Sequence, residues 1–265
     1  MMFARNPRER EALAGKAAVV VGCGSVGCAL AELLVRAGIG KLTLIDPEAL
    51  APENLARHVL TAADLMRPKA SALREHLLAV NAEIRIEAHD SAFTIGDVTE
   101  SWALDPPQLI ISAVDSFRCE SMINAVSLQL GIPVVYIGCW GPASVGEILY
   151  VVPAETPCYE CFAAFRKREE HPTDARKYTD PDFDDTRVSG QPGLWANILV
   201  VAGIAFQIIL GLFGLRPEVI DHDHTLFLVN VSDFASALRP LATTFARVKK
   251  GCAICDESLI DELTA

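Results

Sequence analysis

Short apolar runs rich in β-branched residues alternate with amphipathic stretches through the first half of the chain. These runs, one of them strictly alternating, predict five strands, at 17–21, 41–45, 84–88, 109–114 and 133–137. Helical spacing between them predicts helices that end near Ala37, Val80 and Leu130. Strands and helices that alternate in this way are typical of an α/β fold with a doubly wound, mainly parallel, Rossmann-like sheet.

The alternation stops after Gly138. Further strands are predicted at 145–152 and 225–231, and these give the C-terminal half of the sheet antiparallel strands. Residues 166–190 are rich in Asp, Arg, Lys and Pro and poor in aliphatic residues, which predicts a long exposed loop. The chain has no repeat and no low-complexity linker, so residues 1–265 are interpreted as a single domain.

One segment, 194–215, is nearly uncharged and long enough to span a bilayer. Asn197, Gln207 and several glycines interrupt it, and it lacks a basic flank on one side. It is therefore predicted to be a buried core helix or a dimer-interface helix rather than a membrane span.

Composition and charge narrow the classes of partner. The 265 residues are 51% hydrophobic and carry a formal net charge of -11, which argues against a nucleic-acid partner because its phosphates would be repelled. The polar start at 1–10 does not have the pattern of a signal peptide. Eight cysteines without such a signal indicate a reducing, cytoplasmic setting, where cysteine serves thiol or metal chemistry rather than disulfides.

A G-x-G-x-x-G motif lies between the first predicted strand and the first predicted helix, at Gly22, Gly24 and Gly27. Glycines there let the backbone approach a ligand, and the helix N-terminus turns its N–H groups towards phosphate. Asp46 ends the second predicted strand, where an acid commonly accepts hydrogen bonds from ribose hydroxyls. Together these features fit NAD, FAD or ATP.

The polar residues that follow favour ATP. Asn54, Arg57 and Lys69 come after Asp46, and two cations near a phosphate turn suit a triphosphate better than a single pyrophosphate. Asp115 ends a buried strand at the carboxyl edge of the sheet, where a carboxylate could hold Mg²⁺ between phosphates. Taken singly, Arg57 or Lys69 would more often be a solvated surface charge, and Asp115 could be the N-cap of the next helix.

Two C-x-x-C pairs lie far apart in the C-terminal half, at 158–161 and 252–255. Each pair places two thiolates on one tight knuckle, so the set fits a tetrahedral Zn²⁺ site: Cys158, Cys161, Cys252 and Cys255. Four thiolates leave no open position for water, so the predicted zinc ties the C-terminal tail to the sheet and does not catalyse. The other cysteines are expected to be small buried apolar residues, with Cys139 the best remaining candidate for a reactive thiol.

With these motifs in order, the chain resembles the ubiquitin-activating enzyme superfamily, and within it the small bacterial ThiF/HesA/MoeB-type adenylating enzymes. The resemblance covers nearly the whole chain in the stretches GCGSVG, AGIGKLTLID, ENLAR, RPKA, SAVDSF, PCYECF, GLWANI and CAIC. It implies ATP-dependent adenylation of the C-terminal glycine of a ubiquitin-like or sulfur-carrier protein ending in Gly-Gly, with release of pyrophosphate. It also implies a homodimer.

The resemblance assigns roles to the motif residues. The three glycines form the phosphate turn, Asp46 binds the ribose and Asp115 binds Mg²⁺. The phosphates, and the charge that develops at the α-phosphorus, are contacted by Asn54, Arg57 and Lys69.

The resemblance also divides the chain. The nucleotide-binding half is expected at 16–140, and the loop 166–190 corresponds to a crossover loop under which the carrier tail threads. This loop has no cysteine, so adenylation without a thioester from the loop is expected. The sequence departs from the family pattern at Ser25, Glu48 and His58, where Gly, Asp and Gln are usual. For the upstream arginine that reaches ATP in the dimer partner, the available residues are Arg5, Arg8 and Arg10.

The residues alone do not exclude other functions. The same chemistry could act on a peptide, another small carboxylate or a modified tRNA base, although the acidic balance disfavours RNA. An NAD-dependent oxidoreductase would use the glycine turn, but it has no need of Lys69 and the chain offers no obvious catalytic His or Tyr for it. An inactive scaffold is disfavoured by the intact Asp46, Arg57, Lys69 and Asp115.

Overall fold

The computed structural model describes residues 7–96, 102, 104–140, 143–168, 193–231, 241–243 and 254–255. Its strands are β1 Ala17–Val21, β2 Lys41–Ile45, β3 Arg85–His89, β4 Leu109–Ser112, β5 Val134–Trp140, β6 Val145–Val151, β7 Leu226–Asn230 and β8 Leu241–Thr243. Its α-helices are α1 Pro7–Leu13, α2 Ser25–Ala37, α3 Lys69–Val80, α4 Phe117–Leu130, α5 Tyr159–Arg168 and α6 Trp195–Leu212. Short 3₁₀ helices cover Pro52–Arg57, Ala62–Asp64 and Pro217–Val219.

The strands of the described residues join one eight-stranded sheet in the order β3-β2-β1-β4-β5-β6-β7-β8. The strands from β3 to β5 run parallel, with Ala17 opposite Lys41 and Ile110 opposite Val134. Each of β6, β7 and β8 is antiparallel to the strand before it in this order. The predicted fold class is confirmed: the sheet is doubly wound and mainly parallel, and the strands from the C-terminal half of the chain are antiparallel.

Helices cover both faces of the sheet, because successive residues of a strand point to opposite faces. On one face, Val20 and Leu44 pack in a core with α2, α3 and α6. On the other face, Val19 and Ile110 pack in a second core with α4 and α5. Strands β1, β2 and β4 are therefore buried on both sides, whereas the edge strand β3 is largely exposed. The carboxyl ends of the parallel strands form the edge at which such sheets bind ligands.

The apolar helix α6 packs on the first face of the sheet beside α2. Its close approach depends on Gly146 of β6, because a Cβ atom there would lie 2.3 Å from a Val201 methyl group. By length and composition α6 could cross a bilayer, but eight of its residues are buried within the fold. This burial agrees with the predicted core helix, while Leu199 and Val200 remain 42% and 44% exposed.

Predicted boundaries differ from the observed ones for local reasons. Strand β4 ends at Ser112, before the predicted 114, because Ser116 already caps α4. Strand β5 continues past 137 because Cys139 and Trp140 still pair with β6. Residues 166–168 belong to α5 rather than to the predicted loop, and 169–190 lie outside the described residues. The sequence did not predict α1, α5 or β8.

Candidate functional site

The glycine turn lies where the order of the strands reverses. Because β1 lies between β2 and β4, the connections that follow β1 and β4 leave the sheet towards opposite faces. Gly22 begins the turn and donates its N–H to Ile45 O at 2.8 Å. Ala113 donates to Val21 O at 2.8 Å, which brings the segment leading to Asp115 alongside the turn. In open α/β sheets, this crevice is where ligands bind.

The three glycines meet different constraints. Gly22 has a φ of 91°, and a Cβ atom there would lie 2.5 Å from Ala113 O. A Cβ atom on Gly27 would lie 1.8 Å from Gly22 O, because α2 packs directly on the turn. A Cβ atom on Gly24 would meet no atom of the described chain within 4 Å. Packing therefore explains Gly22 and Gly27, whereas Gly24 faces open space at the N-terminus of α2, where an anion would bind.

Asp46 holds this turn in shape. Its Oδ2 accepts a hydrogen bond from Cys23 N at 2.6 Å, and its Oδ1 accepts one from Glu48 N at 2.8 Å. Burial raises the pKa of the Asp46 carboxyl, while these two hydrogen bonds and the Lys69 ammonium act in the opposite direction. Asp46 is thus a structural part of the turn as well as the predicted partner of ribose.

His58 contacts the same turn at the backbone carbonyl of Cys23, whereas Asp46 contacts the backbone N–H of that residue. Its Nε2 lies 2.8 Å from Cys23 O, and its Nδ1 lies 3.1 Å from the N–H of Leu60. Burial lowers the pKa of the imidazole. Sequence reasoning noted His58 only as a departure from the family pattern; its position directly after Arg57 was the available signal.

Lys69 begins α3 and is only 5% exposed, unlike a solvated surface lysine. Its Nζ forms an ion pair with the carboxylate of Glu48, and its backbone N–H donates to Glu48 O at 2.9 Å. Its charge also acts on the pKa values of Asp46 and His58. A buried ammonium this close to the glycine turn belongs to the candidate site.

Asn54 and Arg57 lie on the 3₁₀ helix Pro52–Arg57. The side-chain oxygen of Asn54 accepts a hydrogen bond from Ala51 N at 3.0 Å, which fixes the orientation of its amide group. Arg57 is half-buried, and its Cδ lies 3.7 Å from the position that a Cβ atom on Gly193 would take. The segment that leads into α6 therefore limits the space around Arg57.

Asp115 is exposed just beyond the carboxyl end of β4. The N-cap of α4 is Ser116, whose Oγ accepts a hydrogen bond from Cys119 N at 3.3 Å, so Asp115 is not the cap that the sequence left as an alternative. A carboxylate at this edge, beside the glycine turn, has the chemistry that Mg²⁺ prefers.

Three cysteines form a second cluster, and their Sγ atoms all lie within 4.8 Å of one another: Cys158, Cys161 and Cys255. The Sγ atom of Cys161 lies 3.8 Å from that of Cys158 and 3.5 Å from that of Cys255. A tetrahedral zinc site with Zn–S bonds of about 2.3 Å separates its sulfurs by about 3.8 Å. The described thiols therefore fit the predicted zinc site, while Cys252 lies outside the described residues.

The neighbouring thiols of Cys161 and Cys255 lower the pKa of the Cys158 thiol, because a thiolate there would accept hydrogen bonds from them. Thiolates, not thiols, bind zinc, so this agrees with a metal-ligating role.

Buried polar contacts tie the cysteine cluster to α4. Tyr159 follows Cys158, and its hydroxyl donates to Glu120 Oε2 at 2.5 Å. The backbone N–H of Tyr159 donates to Asn124 Oδ1 at 3.0 Å. These contacts on α4 were not predicted, because the partners lie 39 and 35 residues apart in the sequence.

The remaining described cysteines behave mainly as small apolar residues. Cys23 and Cys28 are fully buried, and burial raises the pKa of both thiols. Cys139 is partly buried, and burial together with the nearby charge of Asp115 raises the pKa of its thiol to about 12. A raised pKa leaves little thiolate at neutral pH, which argues against a reactive role for Cys139 and favours the expectation of a small buried apolar residue.

A cavity of about 490 Å³ lies on the second face of the sheet along β1, β2 and β3. It is lined by Lys41, Phe93 and Trp102 among others. Its lining includes none of the predicted nucleotide-binding residues within the described part of the chain, so we assign the site to the carboxyl edge.

Two relatives with similar sequences have names that describe adenylating or activating enzymes. The chain is 32% identical over 159 residues to the "Sulfur carrier protein ThiS adenylyltransferase" of Bacillus subtilis, a match that covers 59% of this chain and 46% of that protein. It is 29% identical over 153 residues to the "Ubiquitin-like modifier-activating enzyme 5" of Dictyostelium discoideum, covering 54% of this chain and 40% of the relative. These matches span only about half the length of the curated relatives.

A solved structure shares the fold. The structure described as "E. coli MccB + ATP" superposes with a TM-score of 0.71 at 20% identity, over 93% of this chain and 68% of MccB. At the level of sequence, residues 2–248 match the profile of the ThiF family. The match includes the glycine turn, Asp46, Lys69 and Asp115, and the chain therefore belongs to the ThiF family.

Proposed function

We propose that this chain catalyses the ATP-dependent adenylation of a carboxylate, with release of pyrophosphate. One observation carries the proposal: an open phosphate turn at Gly24, braced by Asp46, lies beside the buried ammonium of Lys69. An anion-binding turn, a ribose-binding acid and a buried cation suit a nucleoside triphosphate. The names of the relatives, an adenylyltransferase and a modifier-activating enzyme, support the same reaction.

In this reaction the N–H groups at the start of α2 bind phosphate oxygens, and Asp46 accepts hydrogen bonds from the ribose hydroxyls. A carboxylate oxygen of the substrate attacks the α-phosphorus, and the bond from the α-phosphorus to the pyrophosphate oxygen breaks. Asn54, Arg57 and Lys69 stabilise the negative charge that develops there. The attacking carboxylate is already ionised at neutral pH, so catalysis consists of positioning and electrostatic stabilisation, with no proton to remove.

Two metal ions complete the proposal. Asp115 fits Mg²⁺, which would neutralise phosphate charge when bound. Cys158, Cys161 and Cys255, with Cys252, fit a structural Zn²⁺ that ties the tail of the chain to α4 and α5.

The proposed substrate is the C-terminal Gly-Gly of a ubiquitin-like or sulfur-carrier protein. The names of the relatives support this choice. A peptide or another small carboxylate is the second candidate, because the same adenylation chemistry serves any carboxylate that reaches the α-phosphorus. Hydride transfer from NAD is less well supported, because it gives no role to the buried Lys69.

We also propose a cytoplasmic homodimer without a nucleic-acid partner. The half-exposed Leu199 and Val200 on α6 support an interface on that helix, and the net charge of -11 disfavours nucleic acid. Light scattering after size exclusion tests the dimer, and a monomer at micromolar concentration would argue against it.

Exchange of labelled pyrophosphate into ATP, dependent on a carrier protein ending in Gly-Gly, tests the reaction. We expect exchange with the cognate carrier and none with the same carrier lacking its terminal glycine. Exchange supported by short peptides alone favours the second candidate. The absence of exchange with any carrier or peptide would contradict adenylation.

Replacing Asp115 tests the proposed Mg²⁺ ligand. Asp115→Ala removes an exposed carboxylate that does not cap α4, so the fold should be retained while exchange is abolished. Asp223→Ala, which removes another exposed carboxylate, is the matched control. Near-normal exchange by Asp115→Ala would refute the role of Asp115.

A further inference from the structure

His58 connects the glycine turn to the segment that carries the candidate phosphate-binding side chains. Its Nε2 contacts Cys23 O at 2.8 Å, across 35 residues of sequence. Directly before His58 in the chain is the 3₁₀ helix Pro52–Arg57. One imidazole therefore links the turn to the segment that carries Asn54 and Arg57.

The hydrogen bonds determine the protonation state of the ring. The Leu60 N–H can only donate, so Nδ1 must be the acceptor of that 3.1 Å contact. Cys23 O can only accept, so Nε2 must carry the proton and donate to it. His58 is thus a neutral imidazole with its proton on Nε2. A second proton on Nδ1 would face the Leu60 N–H and break that contact.

The two backbone groups of Cys23 are both engaged by side chains. Asp46 accepts from Cys23 N, and His58 donates to Cys23 O. This peptide segment immediately precedes Gly24, the one glycine of the turn whose Cβ position is open. The turn is therefore held in its anion-binding shape before any ligand arrives, so that binding needs little further ordering.

The charges around His58 act on its pKa in both directions. The ammonium of Lys69 and the ring of His76 lower the pKa, and the carboxylate of Asp64 raises it. Burial is the largest effect and also lowers the pKa, whereas the hydrogen bond to Cys23 O, the second largest, raises it. The net shift of the pKa is downward, so the neutral ring is favoured at neutral pH.

We propose that His58 is a positioning residue for nucleotide binding: its neutral ring fixes the carbonyl of Cys23, and with it the phosphate turn, relative to Asn54 and Arg57. This role rests on the proposed function only in that the nucleotide occupies the turn. It predicts that affinity for Mg²⁺-ATP depends on the donor at Nε2.

Two amide variants separate the two contacts of the ring. Gln carries an N–H donor at about the distance of Nε2 from the backbone, so His58→Gln can keep the bond to Cys23 O. Asn carries its amide oxygen at about the position of Nδ1, so His58→Asn can keep only the bond from Leu60 N. Neither amide titrates, and each variant retains one of the two contacts.

The experiment is calorimetric titration of the full chain with Mg²⁺-ATP. At pH 7.5 we expect His58→Gln to bind within roughly 3-fold of wild type and His58→Asn to bind about 10- to 100-fold more weakly, since small misplacements in such sites are costly. His76→Gln, a control at a histidine that pairs with Glu32, should keep the wild-type affinity for Mg²⁺-ATP at this pH.

The outcomes test the positioning role of His58 and the nucleotide site separately. Equal affinities of His58→Gln and His58→Asn for Mg²⁺-ATP would overturn the positioning role. Faster hydrogen exchange of the 22–27 segment in His58→Asn than in His58→Gln would support it. Failure of wild type to bind Mg²⁺-ATP at any pH would instead refute the proposed nucleotide site itself.

Discussion

Asp46 accepts a hydrogen bond from the backbone N–H of Cys23 at 2.6 Å, so the acid predicted to bind ribose also fixes the phosphate turn. The two parts of the nucleotide site are therefore coupled. A change at Asp46 alters the ligand contact and the shape of the turn together, whereas a change at an open position of the turn alters only the ligand contact.

Asp46→Asn tests this coupling. The Asn side chain has one acceptor oxygen where Asp46 uses two, so its NH₂ group must face either Cys23 N–H or Glu48 N–H. We expect the free energy of unfolding to fall by about 1–3 kcal/mol, measured by urea titration, and Mg²⁺-ATP to bind at least about 10-fold more weakly.

The matched control is Asp105→Asn, whose carboxylate is 79% exposed and pairs with Lys41 at the opposite end of β2. It should leave both measurements near the wild-type values, because surface ion pairs contribute little. Weak binding by Asp46→Asn with full stability would mean that Asp46 contacts the ligand without bracing the turn.

The glycines give a cleaner separation of folding from binding. Gly27→Ala places a Cβ atom 1.8 Å from Gly22 O, so we expect a large loss of stability or failure to fold. Gly24→Ala meets no atom of the described chain within 4 Å, so its melting temperature should stay within a few degrees of wild type. It should nevertheless bind Mg²⁺-ATP roughly 10-fold more weakly or worse, because the methyl group occupies the space of the phosphates. Normal binding by Gly24→Ala would place the nucleotide elsewhere.

Local signals made much of this site predictable from the sequence. The glycine spacing, an acid at the end of β2 and a carboxylate after β4 each depend on a few neighbouring residues, and β–α alternation aligns those strand ends at one edge. The structure keeps Asp46 and Lys69 beside the turn as that reasoning expected.

The contacts that brace the glycine turn and the cysteine cluster were not predictable in the same way. His58 and Cys23 are 35 residues apart, and Tyr159 and Glu120 are 39 apart. No periodicity or spacing specifies which buried polar groups meet across such separations, because partners are chosen by packing of whole elements. Helix α5 was also missed, since its charged second half has the composition from which a loop was predicted at 166–190.

Glu48→Gln tests whether the Glu48 carboxylate competes with the nucleotide for the Lys69 ammonium. The ion pair joins a buried ammonium to a carboxylate whose side chain is 63% exposed. Removing the negative charge frees Lys69 for phosphate, so we expect Mg²⁺-ATP to bind about 3- to 10-fold more tightly by calorimetry. Glu11→Gln on α1 makes the same change in net charge and should have no effect. Weaker binding by Glu48→Gln would instead indicate that Glu48 contacts the ligand or orients Lys69.

The cysteine cluster predicts bound zinc. We expect about one zinc per chain by elemental analysis of the purified protein, and loss of that zinc in Cys161→Ser, because its Sγ lies near both other described sulfurs. Removing the metal should lower the melting temperature, since metal binding is linked to folding. Cys119→Ser, outside the cluster, should keep its zinc. A zinc-free wild-type protein that melts at the same temperature with and without chelator would contradict the site.

Cys139 should be unreactive despite its position near the crevice. A pKa of about 12 leaves only about one thiolate in ten thousand at pH 8. Because the folded-state pKa lies above the usual thiol value of 9.0, the proton is held more tightly in the folded protein, and reactivity should rise only as the pH approaches that raised pKa. In native protein at pH 8 we expect maleimide to modify Cys139 at least about 100-fold more slowly than after denaturation, as followed by peptide mass spectrometry. Cys139→Ser should retain pyrophosphate exchange, and a thioester between a carrier protein and Cys139 would contradict this assignment.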